Sequence, residues 1–97
     1  MHNFDAKKDI AIEILKKNLN MSLAEVTRLP TGFCHSVYHV KTDTKECVLR
    51  MTESEWHYNG SVKWLNYLAP LDIPIPKLLS NGNYGDVFYT LITYIAL

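Results

Sequence analysis

A single cation in an apolar segment is the first feature of this sequence that could do chemistry. Arg50 stands in the otherwise apolar run from Val48 to Met51. A cation on such a strand costs free energy unless its head group reaches water or meets an anion. The segment just upstream contains Gly32, and a glycine turn with free backbone amides can hold the same anion. The pattern indicates an anion site, while a surface cation and a simple hairpin glycine stay open as alternatives.

Other residues with metal-binding or nucleophilic atoms do not form a recognisable motif. The spacing of Cys34, His35, His39 and Cys47 matches no compact zinc pattern. Two cysteines make no disulfide framework, so a cytoplasmic protein is expected. The formal net charge of zero argues against a nucleic-acid partner. No apolar run approaches the roughly 20 residues of a membrane span, so no membrane partner is expected.

Three strands are predicted around the candidate anion site. β-Branched and aromatic residues alternate with turn-forming clusters, which is typical of consecutive hairpins. The predicted strands run from Glu25 to Leu29, from Val37 to Lys41 and from Cys47 to Met51. Arg50 therefore lies near the end of the third strand, next to the glycine turn that joins the first two.

Two amphipathic helices are predicted to flank these strands. The first runs from Asp5, as its cap, to about Asn20, with apolar residues at helical spacing. The second is capped by Thr52 or Ser54 and ends at Pro70, although Gly60 would allow it to begin only near Asn59. Within the second helix, Trp64 and Tyr67 are expected to pack in the core rather than to form a ligand cage.

The C-terminal third is predicted to be extended. The segment Ile73–Pro76 cannot be helical, Lys77–Ser80 is a short strand and Asn81–Asp86 is a turn. The last strand, Val87–Ala96, is apolar on both faces and needs cover on both. The element order predicts one α+β domain over residues 1–97, with a five-stranded antiparallel sheet, an N-terminal helix and a helix between strands 3 and 4. The chain stops inside its most apolar segment, so either this end docks against a partner or the protein continues.

Several segments, in their order and spacing, carry a resemblance to a known family. They are Thr31-Gly32, Ser36 to Val40, Val48 to Met51, Trp64-Leu65, Ile73 to Leu79 and Thr90 to Ile95. Together they resemble the N-terminal lobe of the aminoglycoside phosphotransferase and choline kinase group, which has a protein-kinase-like fold. The resemblance spans residues 24–97, and residues 1–22 would be an N-terminal helical extension within the same domain.

The resemblance implies a nucleotide site. The turn that holds Gly32 and Ser36 would arch over the phosphates, and Arg50 would stand where the group commonly has a phosphate-binding lysine. An arginine keeps that charge and adds a fork that suits phosphate oxygens. Val37 and Val48 would form the apolar ceiling over the adenine, and Ile92 would lie at the back of its pocket. The Thr93 carbonyl and the Ile95 amide would form hydrogen bonds with the edge of the base.

The same resemblance implies an incomplete enzyme. The complete protein would transfer the γ-phosphate of ATP or GTP, with magnesium, to a hydroxyl of a small molecule such as an aminoglycoside or a choline-like alcohol. The catalytic lobe with its aspartates is absent, so the chain alone should not catalyse. Only Gly32 remains of the usual three glycines, and Glu55 is the nearest candidate for the helix acid that would pair with Arg50. The rival hypothesis is a stand-alone interaction module that forms a homodimer or binds a partner, such as the missing lobe, through its C-terminal strand.

Overall fold

The computed structural model describes residues 6–22, 25–29, 36–71 and 76–94. Two helices and five strands follow one another along the chain. They are α1 (Ala6–Glu13), continued by a π-helical turn (Ile14–Asn18), β1 (Glu25–Leu29), β2 (Ser36–Lys41), β3 (Glu46–Thr52), α2 (Glu55–Leu68), β4 (Leu78–Tyr84) and β5 (Val87–Thr93). The strands form one sheet in the order β1-β2-β3-β5-β4, and every neighbouring pair is antiparallel. The predicted α+β fold class is confirmed.

One face of the sheet, the α1 face, holds the hydrophobic core. Side chains alternate along a strand, so one set of residues from each strand faces α1 and the π-helical turn. The fully buried members of this core are Ala11, Ile14 and Leu15 from the helical segment and Tyr38, Val40, Cys47 and Leu49 from the strands. A polar contact adds to the apolar packing, because the Asn18 amide donates to the Tyr89 hydroxyl at 3.4 Å. The N-terminal helix is thus part of the core.

The opposite face, the α2 face, is partly covered by α2. Ser54 caps this helix, because its hydroxyl oxygen accepts a hydrogen bond from the His57 backbone amide at 3.3 Å. The cap confirms one of the two predicted candidates, and the helix begins at Glu55 rather than near Asn59. The ring of Tyr58 stacks on Phe88 of β5 with 5.0 Å between centroids. The helix is therefore attached to the sheet at the end of its first turn.

Two sequence-based predictions are corrected by the structure. The residues from Asn81 to Tyr84 continue β4, so the predicted six-residue turn shrinks to Gly85 and Asp86. Trp64 and Tyr67 do not pack in the core, since their exposed fractions are 61% and 69% and they stack on each other on the outer side of α2. The predicted cap Asp5 and most of the predicted extended segment lie outside the described residues.

The last described strand lies inside the sheet. β5 pairs with β3 on one side and with β4 on the other, and Tyr89 and Leu91 are buried on the α1 face. Thr90 and Ile92 are buried on the α2 face, so the described strand is covered on both faces. Val87–Thr93 offers no free edge to a strand of another chain, because the two edges of the sheet are β1 and β4. Residues 95–97 lie outside the described part.

Candidate functional site

The α2 face brings four of the predicted site residues together. Strand register places Val37 of β2 opposite Arg50 of β3, and Val48 of β3 opposite Ile92 of β5. Val48 and Arg50 alternate on the same strand, so all four side chains share one face of the sheet. The two central apolar residues, Val48 and Ile92, are buried. The result is an apolar patch with one cation at its side.

Arg50 lines a small cavity whose other lining residues carry no charge. A cavity of about 10 Å³ is lined by Arg50, Tyr58 and Ser61 together with side chains of the sheet. Arg50 is half-buried, and within the described residues no carboxylate lies within ion-pair distance of it. The structure therefore does not bring the predicted partner Glu55, which is exposed in the first turn of α2, to the cation. A partly desolvated cation without a protein anion is a suitable place for a ligand anion.

Ser36 and Thr93, two further predicted site residues, do not belong to the group of four side chains on the α2 face. The Ser36 side chain belongs to the α1 face, where it is buried and accepts a hydrogen bond from Arg28 Nη2 at 3.4 Å. Only the backbone of Ser36 is left for the predicted phosphate contact. Thr93 ends β5, and its backbone amide donates to the Lys77 carbonyl while its hydroxyl accepts from the Lys77 amide, both at 2.9 Å. This pair of bonds fixes the end of β5 against the start of β4.

The predicted loop and one predicted adenine contact lie outside the described residues. Gly32 belongs to the undescribed segment 30–35, and Ile95 follows the last described residue. Their roles stay predictions. Of the described residues, Leu29 at the end of β1 pairs with Val37 of β2. Val37 in turn lies opposite Arg50 of β3.

A polar cluster on the same face was not identified from the sequence. The ring of His39 packs on Tyr94 with 4.5 Å between centroids, and its Nε2 lies 3.3 Å from Glu46 Oε1 without a well-directed hydrogen bond. His39 is the cross-strand neighbour of Val48, so the cluster borders the apolar patch on the side away from Arg50. The sequence did contain a signal for this cluster, because His39 lies two residues after Val37 in β2 and therefore shares its face of the sheet.

Metal binding and membrane insertion find no support in the described residues. In these parts of the chain, no three His, Cys, Asp or Glu side chains converge on a common point. No described helix combines the length and the apolar character that crossing a bilayer requires. A cavity of about 360 Å³ opens between α1 and the start of α2, lined among others by Lys7 and Glu53, but none of the predicted site residues lines it.

Comparison with known proteins shows the fold but no sequence family. No family profile and no curated protein matches the sequence. Among solved structures, aminoglycoside phosphotransferase APH(4)-Ia is similar, with a TM-score of 0.65, 18% identity and 93% of this chain covered. A putative fructosamine-3-kinase from Haemophilus somnus 129PT has a TM-score of 0.68, 13% identity and 87% coverage. Aminoglycoside 2'-phosphotransferase-IIIa, solved as its GDP complex, has a TM-score of 0.60, 19% identity and 90% coverage.

These similarities concern only a part of the solved proteins. The chain spans about 30% of the length of each of these three structures. The shared part has the fold of a kinase-like N-terminal lobe, with a five-stranded antiparallel sheet and two helices. The fold implied by the sequence resemblance is confirmed.

Proposed function

We propose that this chain is the nucleotide-binding lobe of a small-molecule phosphotransferase. In the complete enzyme it would hold ATP or GTP while the γ-phosphate is transferred to a hydroxyl of a small molecule, such as an aminoglycoside or a choline-like alcohol. The observation that carries the proposal is the α2 face, where Arg50 lies beside Val37, Val48 and Ile92. An apolar patch suits a purine ring, and a guanidinium that pairs with no acid of the described residues suits a polyphosphate.

Similar solved proteins support a nucleotide as the ligand. A thermostable mutant of APH(4)-Ia was solved as a ternary complex with AMP-PNP and hygromycin B. The phosphotransferase-IIIa structure contains GDP. The choice between an adenine and a guanine base stays open for this chain, because Ile95, which would donate to the base edge, lies outside the described residues.

The chemical contribution of this chain is binding and orientation. Arg50 would place two N–H donors on phosphate oxygens and would offset negative charge as the γ-phosphate is transferred. The ceiling residues Val37 and Val48 would exclude water from one face of the base. Among the described residues, no three His, Cys, Asp or Glu side chains converge on one point, and the proposal for this chain is confined to the nucleotide.

Titration with AMP-PNP and a GTP analogue tests this function. We expect the chain to bind one of them weakly, near about millimolar, because half a cleft buries little of the ligand. Arg50→Ala should lower the affinity about tenfold or more, the value of a charge-assisted hydrogen bond, without changing the fold measured by circular dichroism. Arg28→Ala is the matched control, because this arginine lies on the α1 face.

Two results would contradict the proposal. Equal nucleotide affinity in Arg50→Ala and in the unchanged chain would remove the assignment of Arg50. An equal loss in Arg28→Ala would show that the binding depends on total positive charge and not on the α2 face.

A further inference from the structure

One tyrosine connects α2 to two strands at once. The Tyr58 ring stacks on Phe88 of β5 at 5.0 Å between centroids, with 29° between the ring planes. Its hydroxyl oxygen accepts a hydrogen bond of 2.7 Å from Asn81 Nδ2 of β4. Among the described contacts between α2 and the sheet, this residue combines an aromatic stack and a hydrogen bond to different strands. Tyr58 is therefore the main candidate for the residue that fixes the helix.

The same tyrosine lines the small cavity beside Arg50. That cavity, about 10 Å³, has room for roughly one water molecule and brings Tyr58 and Ser61 of the helix next to the cation. Neither of these side chains carries a charge. Since no described acid pairs with Arg50, the attachment of α2 does not draw on the charge of the arginine.

We propose that Tyr58 is a positioning residue that holds α2 on the sheet through neutral contacts and so leaves the charge of Arg50 for the ligand. The first half of this inference is independent of the proposed function, and the second half rests on it. A carboxylate at the same place would neutralise the guanidinium and would compete with phosphate oxygens. A stacked phenol holds the helix without that competition.

Hydrogen exchange of the α2 amides tests the positioning role without any ligand. We expect Tyr58→Ala to accelerate exchange in α2 about tenfold, the equivalent of losing an aromatic stack and a hydrogen bond. Lys63→Ala, at an exposed position of the same helix, should leave exchange unchanged. Arg50→Met should also leave it unchanged, and so should about 1 M salt, which screens ion pairs.

Milder variants keep the test valid if Tyr58→Ala does not fold. Tyr58→Phe retains the stack and removes only the hydroxyl group, and Asn81→Ala removes the donor. We expect each to accelerate exchange less than Tyr58→Ala, and the double variant to add nothing beyond either single one. Unchanged exchange in Tyr58→Ala, additive effects of the two mild variants, or equal acceleration in Arg50→Met would overturn the positioning role.

A charge substitution tests whether Arg50 is kept available. With AMP-PNP as the probe, Tyr58→Glu should bind several-fold more weakly than Tyr58→Gln, because only the carboxylate competes for the guanidinium. Stronger binding by Tyr58→Glu than by Tyr58→Gln would overturn this half of the inference, since it would mean that the cation needs a helix acid. If the unchanged chain binds no nucleotide, the proposed function fails, while the exchange measurements still decide the role of Tyr58.

Discussion

Cys47 and Arg50 belong to the same strand, but their side chains lie in different environments. Both lie on β3, but Cys47 points into the core on the α1 face while Arg50 lies on the opposite face. The cysteine is fully buried, and burial raises the pKa of its thiol above the ordinary value of 9.0, with a smaller opposing effect from Lys45. A thiol that keeps its proton is a poor nucleophile. Its role is packing.

Slow reaction of the Cys47 thiol is the prediction at this scale. In a Cys34→Ser background, we expect iodoacetamide to modify the native chain far more slowly than the chain in denaturant. The folded state holds the thiol proton more tightly than the unfolded state. The free energy of unfolding should therefore decrease as the pH rises above the ordinary thiol pKa. Mass spectrometry follows the modification, and equal rates in both states would contradict the burial.

At the scale of single elements, β4 shows what residue types alone cannot predict. Asn81, Gly82 and Asn83 are turn formers, and the sequence therefore predicts a turn. In the structure they pair with β5, and Asn81 donates to Tyr58 of α2. A Cβ at Gly82 would lie 2.9 Å from the Tyr89 hydroxyl oxygen, so the glycine is required by a tertiary contact rather than by a turn. Such contacts cannot be predicted from the sequence until the partner strand has been placed.

Two other glycines should respond to alanine with opposite signs. Gly60 lies in α2 with open space around a built Cβ, so Gly60→Ala should stabilise the chain by about 0.5–1 kcal/mol. Gly85 has a φ of 61° in the two-residue turn between β4 and β5, so Gly85→Ala should destabilise it by about 1–2 kcal/mol. Urea unfolding measures both variants. Equal signs would mean that one of the two backbone conformations is wrong.

At the scale of the whole molecule, the sequence predicted the fold, and it also predicted that four candidate residues share one face, because both depend on strand alternation. The alternation that sends Val48 and Arg50 to one face is visible in the sequence, so their grouping with Val37 and Ile92 needed only the correct register. What surrounds Arg50 was not predictable. The position of Tyr58 beside the cation depends on how α2 crosses the sheet, and an amphipathic pattern does not specify that angle.

The N-terminal helix gives the prediction that concerns the whole domain. The resemblance treats residues 1–22 as an extension within the domain, and Ile14 and Leu15 of this segment are fully buried against the α1 face. Burying two such side chains stabilises a protein by about 3–6 kcal/mol, which is comparable with the total stability of a small domain. Deletion of residues 1–22 should therefore prevent cooperative folding, because the apolar side chains of the α1 face would meet water.

A point variant separates this packing effect from the effect of shortening the chain. Leu15→Ala should lower the free energy of unfolding by about 2–5 kcal/mol, since it removes buried methyl groups and leaves a cavity. Lys16→Ala, its exposed neighbour in the π-helical turn, is the matched control and should change stability by less than about 0.5 kcal/mol. Urea unfolding followed by circular dichroism measures both. If Leu15→Ala is as stable as Lys16→Ala, the helix does not contribute to the core.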